Sequence, residues 1–136
     1  MIAGQGILGV IALQIAALSG AVPLLVSDYD PARRALALKL GADLALNPAD
    51  ADFAEQVREA TGGRGVNAVV EVTGVAAALK QALKYVAREG RISLLGCTRV
   101  PDAAIDFYQD VHCPGVTLIG ANTWNRPRFE SRPGQW

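Results

Sequence analysis

Short apolar runs typical of buried β-strands alternate with helical patterns along most of this 136-residue chain. The clearest run is VNAVVEVTG at residues 66–74, a continuous β-branched stretch of the kind that is buried on both faces of a parallel sheet. The others lie at residues 21–28, 43–47, 91–96 and 116–120. Their spacing matches right-handed βαβ crossovers, and a truncated strand before the first helix would complete the set. The alternation predicts a doubly wound α/β fold, a parallel sheet of six strands in the order 3-2-1-4-5-6.

The segments between these runs carry helix start and stop signals. The first helix, Ile7–Leu18, is apolar on nearly every face, so we expect it to be covered on several sides. The second begins at Asp30, a good N-cap, with Pro31 at the first helical position. We expect Gly90 to break the fourth helix, and one further helical turn around residues 107–112. The predicted inner faces of the later helices are Ala32, Leu36 and Leu40; Phe53, Val57 and Ala60; and Leu79, Leu83 and Val86.

The stretch GQGILG, immediately before the first helix, has the glycine spacing of a dinucleotide-binding turn. Gly4 would permit the tight turn, Gly6 would let a diphosphate approach the backbone, and Gly9 would let the helix lie close to the strand. Ile7 and Leu8 complete the motif, where free backbone N–H groups would face the diphosphate. A GxGxxG motif alone is a weak signal, and glycines that serve only close packing are the alternative.

Asp28 ends the next strand, nineteen residues after Gly9, close to the spacing expected for a ribose-binding acid. Its carboxylate would accept from both ribose hydroxyls and would repel a 2′-phosphate, which favours NAD(H) over NADP(H). A turn residue beside Asp30 is the alternative role. Arg33 is a candidate contact to the adenosine ribose, while Arg34 is a candidate for the same contact or for a solvated charge.

Charge and cysteine content exclude some classes of protein. The 13 basic residues balance the 13 acidic ones, and no basic stripe suggests nucleic acid as a partner. Cys97 and Cys113 are too few for a disulfide framework, so a reducing cytoplasm is the expected location.

The apolar opening of the chain raises the alternative of a targeting segment. It resembles the core of a signal peptide, but no Lys or Arg precedes Arg33, and a signal peptide needs a positive region ahead of its apolar run. The run is also too short and too interrupted, by glycines and Gln14, to span a bilayer. We therefore expect no membrane partner.

Several stretches, in this order, resemble the coenzyme-binding domain of the medium-chain, zinc-dependent alcohol and polyol dehydrogenases. They are GQGILGVIALQIAALSGA, SDYDPARRALALKLGADLALNP, GVNAVVEVTG, GRISLLG and DFYQDVHCPGVTLIG. The combination runs the whole length of the chain and is far more specific than the glycine motif. The stretch GANTWN is closer to the sorbitol and threonine dehydrogenase branch. The resemblance implies a Rossmann domain that binds NAD(H) for hydride transfer with a small alcohol or ketone.

The resemblance also implies cofactor contacts at the ends of three later strands. They are Val72 and Thr73 at the adenine pocket, Leu95, Gly96 and Cys97 at the nicotinamide half, and Ile119 and Gly120 near the carboxamide. Ordinary packing at strand ends is the alternative for each group.

In the family that the chain resembles, a separate domain supplies the ligands of the catalytic zinc. This chain offers no comparable set, since His112 and Cys113 are adjacent in the sequence, so we assign it neither catalytic residues nor metal ligands. We expect residues 1–121 to form the dinucleotide-binding domain of a larger enzyme and residues 122–136 to lead to absent C-terminal elements. We also expect a short first strand that leaves neighbouring backbone groups unpaired, and a homodimer formed through the last strand.

The leading hypothesis is therefore the NAD(H)-binding half of a dehydrogenase, which alone would bind the cofactor weakly and be inactive. A non-enzymatic NAD-sensing regulatory domain is the alternative, although the sequence after residue 66 does not fit that class. A methyltransferase on the same fold is a third hypothesis, which the glycine spacing disfavours.

Overall fold

The computed structural model describes residues 1–96 and 104–122 of the chain. The elements of this part form a parallel sheet with helices on both faces. The strands are β1 (Ile2–Ala3), β2 (Leu25–Ser27), β3 (Leu44–Leu46), β4 (Val66–Glu71), β5 (Val86–Leu94) and β6 (Thr117–Gly120). The helices are α1 (Ile7–Leu18), α2 (Pro31–Lys39), α3 (Phe53–Glu59), α4 (Ala76–Tyr85) and the short π-helical segment α5 (Tyr108–His112).

The sheet confirms the predicted fold class. Its strand order is β3-β2-β1-β4-β5-β6, with every pair parallel. The short first strand lies at the centre, where Ile2 is in register with Val26 of β2 on one side and Val70 of β4 on the other. The chain leaves β1 towards β2 and later returns to place β4 on its other side. Such a reversal opens a crevice at the carboxyl ends of the strands, the usual ligand site of open α/β sheets.

A hydrophobic core lies on each face of the sheet. One contains Phe53 and Val57 of α3 with Val69 of β4, as predicted for α3. The other contains Leu13 of α1 and Ala37 of α2. The expected two-sided burial of β4 holds only in part, because residues 67–68 are exposed.

The predicted coverage of α1 is wrong for the described part of the chain. Among its side chains only Leu13 is fully buried, while Ile7 is 80% and Leu18 91% exposed. One stripe of the helix faces the sheet and α2, and no other described element covers its remaining faces. An apolar composition therefore did not predict how much of this helix is buried.

The predicted inner face of α2 is wrong at Ala32 and Leu36, whereas Leu40 is partly buried against the core as predicted. Ala37 is completely buried, whereas Leu36 is 45% exposed and Ala32 is exposed as well. The buried face is rotated by one residue, about 100°, round the helix. The small side chain of Ala37 lets α2 lie close to the core that contains Leu13.

The boundary between α4 and β5 differs from the prediction. Val86, expected on the helix, begins β5, and Gly90, expected to break the helix, lies within that strand. The register of β5 against β4 shifts in this region, and Glu89 has a φ of 57°. A Cβ at Gly90 would lie 2.6 Å from Val86 Cγ2, so this glycine allows the backbone to fold tightly at the irregularity. The predicted helical turn near residue 107 is confirmed by α5.

Pairing at the start of β1 includes Met1. Its amine donates to the Ala68 carbonyl at 2.9 Å, and Val70 N–H donates to the Met1 carbonyl at 2.9 Å. Burial lowers the pKa of this amine from 8.0 to about 6. Protonation of Met1 is thus linked to folding.

We expect a chain with a free amine at Met1 to be more stable at about pH 8.5 than at about pH 5.5, by up to ~2 kcal/mol. Because the folded-state pKa is the lower one, this stability is complete above 8.0 and is lost as the pH falls towards 6. Urea denaturation at the two pH values measures the difference. An N-acetylated chain is the control, and an equal pH dependence in that chain would contradict the assignment to Met1.

Candidate functional site

The glycine turn between β1 and α1 lies against the end of β4. Gly4 has a φ of 96°, and a Cβ there would lie 2.7 Å from Thr73 Cγ2. A Cβ at Gly9 would lie 2.0 Å from the Gly4 carbonyl oxygen, so this glycine brings the helix close to the turn itself as well as to the strand. Around Gly6, by contrast, no atom of the described residues, apart from Gly6 and its two chain neighbours, lies within 4 Å of the Cβ position. The turn is thus tightly packed at Gly4 and Gly9 and open at Gly6.

The amino terminus of α1 carries no side-chain cap. Its N-cap residue is Gly6, no side chain within residues 1–96 and 104–122 caps the helix, and no acidic residue lies in its first turn. The N–H groups of a first helical turn have no partner within the helix and favour an anion. Ile7 and Leu8 place their backbone at this position, and their side chains are exposed.

Asp28, immediately after β2, connects the glycine turn to the turn between β2 and α2. Its Oδ2 accepts from Gln5 N–H at 2.7 Å, and its Oδ1 accepts from Asp30 N–H at 2.9 Å. The side chain is only 11% exposed. The structure therefore holds the predicted ribose-binding carboxylate against the glycine turn, with lone pairs left on both oxygens.

The two arginines that follow have different environments. Arg33 is 55% exposed, and its guanidinium lies 3.7 Å from Asp28 Oδ2 and 3.8 Å from Asp30 Oδ2. Arg34 instead donates to the carbonyl oxygens of Asp28 at 2.7 Å and Tyr29 at 2.9 Å. Arg34 is therefore neither a solvated charge nor directed at a ligand, because it holds the backbone of the turn that carries Asp28.

These groups line one cleft of about 630 Å³ at the carboxyl edge of the sheet. The structure brings together here the predicted residues Gly4, Gly6, Ile7, Leu8, Gly9, Asp28, Arg33, Val72 and Thr73. Sequence reasoning missed Tyr29, Asp30 and Val75, which also line it. The aromatic side chain of Tyr29, 68% exposed, directly follows Asp28, and that position was the signal available in the sequence.

A second cleft of about 320 Å³ lies next to the first, and Val75 lines both. The predicted residues Leu95 and Gly96 line it at the end of β5, together with Gly120 at the end of β6. A Cβ at Gly96 would lie 2.2 Å from Gly74 N, so the two strand ends approach too closely for any larger residue. Ile119 is 43% exposed on β6 and does not line this cleft. Cys97 lies outside the described residues.

Glu71, at the end of β4, is a buried carboxylate in the wall of the second cleft that sequence reasoning also missed. Its Oε1 accepts from Thr73 N–H at 2.6 Å, and both of its oxygens accept from Gly74 N–H, at 3.1 and 3.2 Å. The pKa of Tyr85 is raised, mainly by the burial of its phenol and to a smaller extent by the nearby Glu71 carboxylate. Glu71 thus fixes the turn at residues 72–75, which contributes to both clefts.

The described residues form neither a candidate metal cluster nor a helix that could span a membrane. Within residues 1–96 and 104–122, no three His, Cys, Asp or Glu side chains come together in a way that could hold a metal ion. Within the same ranges, no helix has the length and hydropathy needed to cross a bilayer.

Comparison with known proteins points to one family. A sequence profile of the zinc-binding dehydrogenases matches residues 8–131 of the chain. L-threonine 3-dehydrogenase of Pyrococcus horikoshii is 43% identical over 120 residues, which make up 88% of this chain and 34% of that protein. The chain spans about a third of the length of the curated relatives that it matches.

Solved structures agree with the sequence comparison. An alcohol dehydrogenase zinc-binding domain protein from Burkholderia ambifaria superposes with a TM-score of 0.80 at 33% identity, over 88% of this chain and 33% of that one. A zinc-binding dehydrogenase from Sinorhizobium meliloti, solved with NADP bound, gives a TM-score of 0.81 at 27% identity, over 88% and 36% of the two chains.

Proposed function

The chain belongs to the zinc-binding dehydrogenase family, and we propose that it is the part of such an enzyme that binds NAD(H). In the whole enzyme it would orient the nicotinamide for hydride transfer with a small alcohol or ketone. The threonine and alcohol dehydrogenases among its relatives support an oxidoreductase.

One observation carries the proposal: Asp28 accepts a hydrogen bond from Gln5 N–H inside the glycine turn. The contact brings the carboxylate and the uncapped amino terminus of α1 to the same cleft. A diphosphate at the helix terminus and a ribose at the carboxylate would be adjoining parts of one adenosine diphosphate. Gly6 leaves the space that the diphosphate needs.

The adenine would lie beside Tyr29. A hollow of about 80 Å³ adjoins the first cleft there and is lined by Tyr29, Thr73 and Pro48. The nicotinamide half would lie in the second cleft, on the other side of Val75, against Leu95. This order along the sheet edge supports a dinucleotide in preference to a mononucleotide.

The carboxylate of Asp28 favours NAD(H), because it would repel the 2′-phosphate of NADP(H). Arg33 lies beside it and is the group that could tolerate such a phosphate. The relative from Sinorhizobium meliloti was solved with NADP, so the charge balance between these two residues is the feature to test.

The described residues do not fit a zinc site, and we derive no step through zinc from them. Their contribution is to bind and orient the cofactor. We further propose a homodimer formed through β6, because β6 is an edge strand on which Ile119 is 43% exposed. We also propose a cytoplasmic location, which the low cysteine content supports.

Thermal unfolding of the whole chain with different ligands tests the cofactor assignment. We expect NADH to raise the melting temperature by several degrees, NADPH to raise it less, and S-adenosylmethionine to leave it unchanged. Stabilisation by S-adenosylmethionine alone would favour a methyltransferase, and no response to either dinucleotide would overturn the proposal.

A further inference from the structure

Glu71 is a carboxylate that is 2% exposed, and its hydrogen-bond partners in the described part of the chain are all donors. In addition to the N–H groups of Thr73 and Gly74, the Thr73 hydroxyl donates to its Oε1. An ionised carboxylate accepts but does not donate, so three donors suit its charged form. The arrangement therefore places a negative charge inside the protein at the end of the central strand β4.

This charge has no strong compensation in the part of the chain that the structure describes. No Lys or Arg within residues 1–96 and 104–122 forms an ion pair with Glu71. The neighbouring Tyr85 is a neutral phenol. The amino terminus of α4, at Ala76, lies in the same wall of the cleft, but a helix terminus is equivalent to only about half a positive charge.

Glu71 is also held firmly beside the second cleft. Its backbone carbonyl accepts from Leu95 N–H at 2.9 Å and from Gly96 N–H at 2.8 Å, so the residue joins the ends of β4 and β5. Among the described residues that line this cleft, Glu71 is the only one with a charged side chain. A ring bound there would lie in the field of one fixed carboxylate.

We propose that Glu71 makes the chain prefer the oxidised dinucleotide to the reduced one. This inference rests on the proposed function, which puts the nicotinamide in the second cleft. The oxidised ring is a pyridinium cation and the reduced ring is neutral, so a nearby buried carboxylate stabilises only the first. Selective binding of the oxidised form lowers the reduction potential of the bound cofactor. Glu71 thus biases the bound pair towards donating a hydride.

Titration calorimetry with NAD⁺ and NADH on the full chain tests this preference. In Glu71→Gln, which removes the charge at nearly constant shape, we expect the ratio of the NADH to the NAD⁺ dissociation constant to fall by about tenfold. Glu71→Asp keeps the charge and should keep most of the ratio, even where overall affinity drops. Thr73→Val is the control for a loosened turn, because it removes a donor to Glu71 but no charge, and it should weaken both forms alike.

The outcomes separate this inference from the proposed function. If the wild-type chain binds neither form, the proposed function fails. If it binds both but Glu71→Gln weakens them equally, Glu71 only stabilises the turn and the inference is wrong. Should Glu71→Gln not fold, ADP-ribose on the wild-type chain provides the comparison. A larger gain in affinity from adding the oxidised ring than from adding the reduced one supports the inference, and the reverse order overturns it.

Discussion

Alanine at Gly9 is expected to destabilise the fold by about 3 kcal/mol, whereas alanine at Gly6 should cost at most about 1 kcal/mol of stability and should weaken cofactor binding at least about tenfold. A Cβ at Gly9 would lie 2.0 Å from the Gly4 carbonyl oxygen and 2.9 Å from its carbonyl carbon. Backbone cannot yield there as a flexible side chain could, so the turn or the helix must move. Urea denaturation of Gly9→Ala measures the cost.

Gly6→Ala is the variant matched to Gly9→Ala, because it adds the same methyl group at another glycine of the same motif. Beyond its chain neighbours, the Cβ of this residue would meet no atom of the residues that the structure describes within 4 Å, and its φ of −70° suits alanine. Loss of the glycine N-cap should therefore cost at most about 1 kcal/mol. The methyl group would instead occupy the space assigned to the diphosphate and weaken NADH binding at least about tenfold, as one lost charge-assisted hydrogen bond would.

Calorimetry on Gly6→Ala decides between a packing role and a ligand role for the motif. Unchanged NADH affinity in a folded Gly6→Ala chain would mean that the glycines serve only close packing. A stable Gly9→Ala chain would show that the close approach to Gly4 is not required.

The order of the sheet could be predicted because its causes are local and general. Each strand is an apolar run, each crossover has the length of one helix, and crossover handedness then leaves few arrangements. The glycine turn and Asp28 could be predicted for a similar reason, since their spacing follows from the dimensions of one βαβ unit.

Burial within the helices could not be predicted in the same way. The apolar surface of α1 remains exposed at Ile7 and Leu18, because burial depends on which layers cover a helix and not on its composition. In α2 the fully buried residue is Ala37, since a small side chain permits close approach, while hydropathy favoured Leu36. Tertiary packing decided both outcomes.

The roles of Arg34 and Glu71 could not be predicted for a further reason. Arg34 and Glu71 hydrogen-bond to the backbone of nearby turns, and these contacts depend on where each carbonyl or N–H group points. No residue spacing encodes that direction. Glu71 in particular lies within an apolar run, where sequence patterns offer no sign of a buried carboxylate with three donors.

Asp28→Ala should weaken NADH binding by about 2–3 kcal/mol, roughly 30- to 150-fold, and should shift the preference towards NADPH. The substitution removes both acceptors for the ribose and the acceptor that holds Gln5 N–H in the glycine turn. It also removes the charge that opposes a 2′-phosphate, and it leaves Arg33, which lies 3.7 Å from Asp28 in the wild type, with Asp30 as its remaining ion-pair partner, so that the guanidinium can meet such a phosphate. Calorimetric titration with NADH and NADPH measures both effects.

Asp43→Ala is the control that distinguishes loss of a ligand contact from loss of a hydrogen bond between a carboxylate and a backbone N–H group of another segment. Asp43 Oδ2 accepts from Leu24 N–H at 2.6 Å, so it holds two segments together much as Asp28 does, but it lies before β3 and lines neither cleft. We expect Asp43→Ala to lower stability by about 1 kcal/mol and to leave NADH affinity unchanged. If the two variants reduce NADH affinity equally, or if neither reduces it, Asp28 supports the turn without binding the ribose. The preference for NAD(H) would then need another cause.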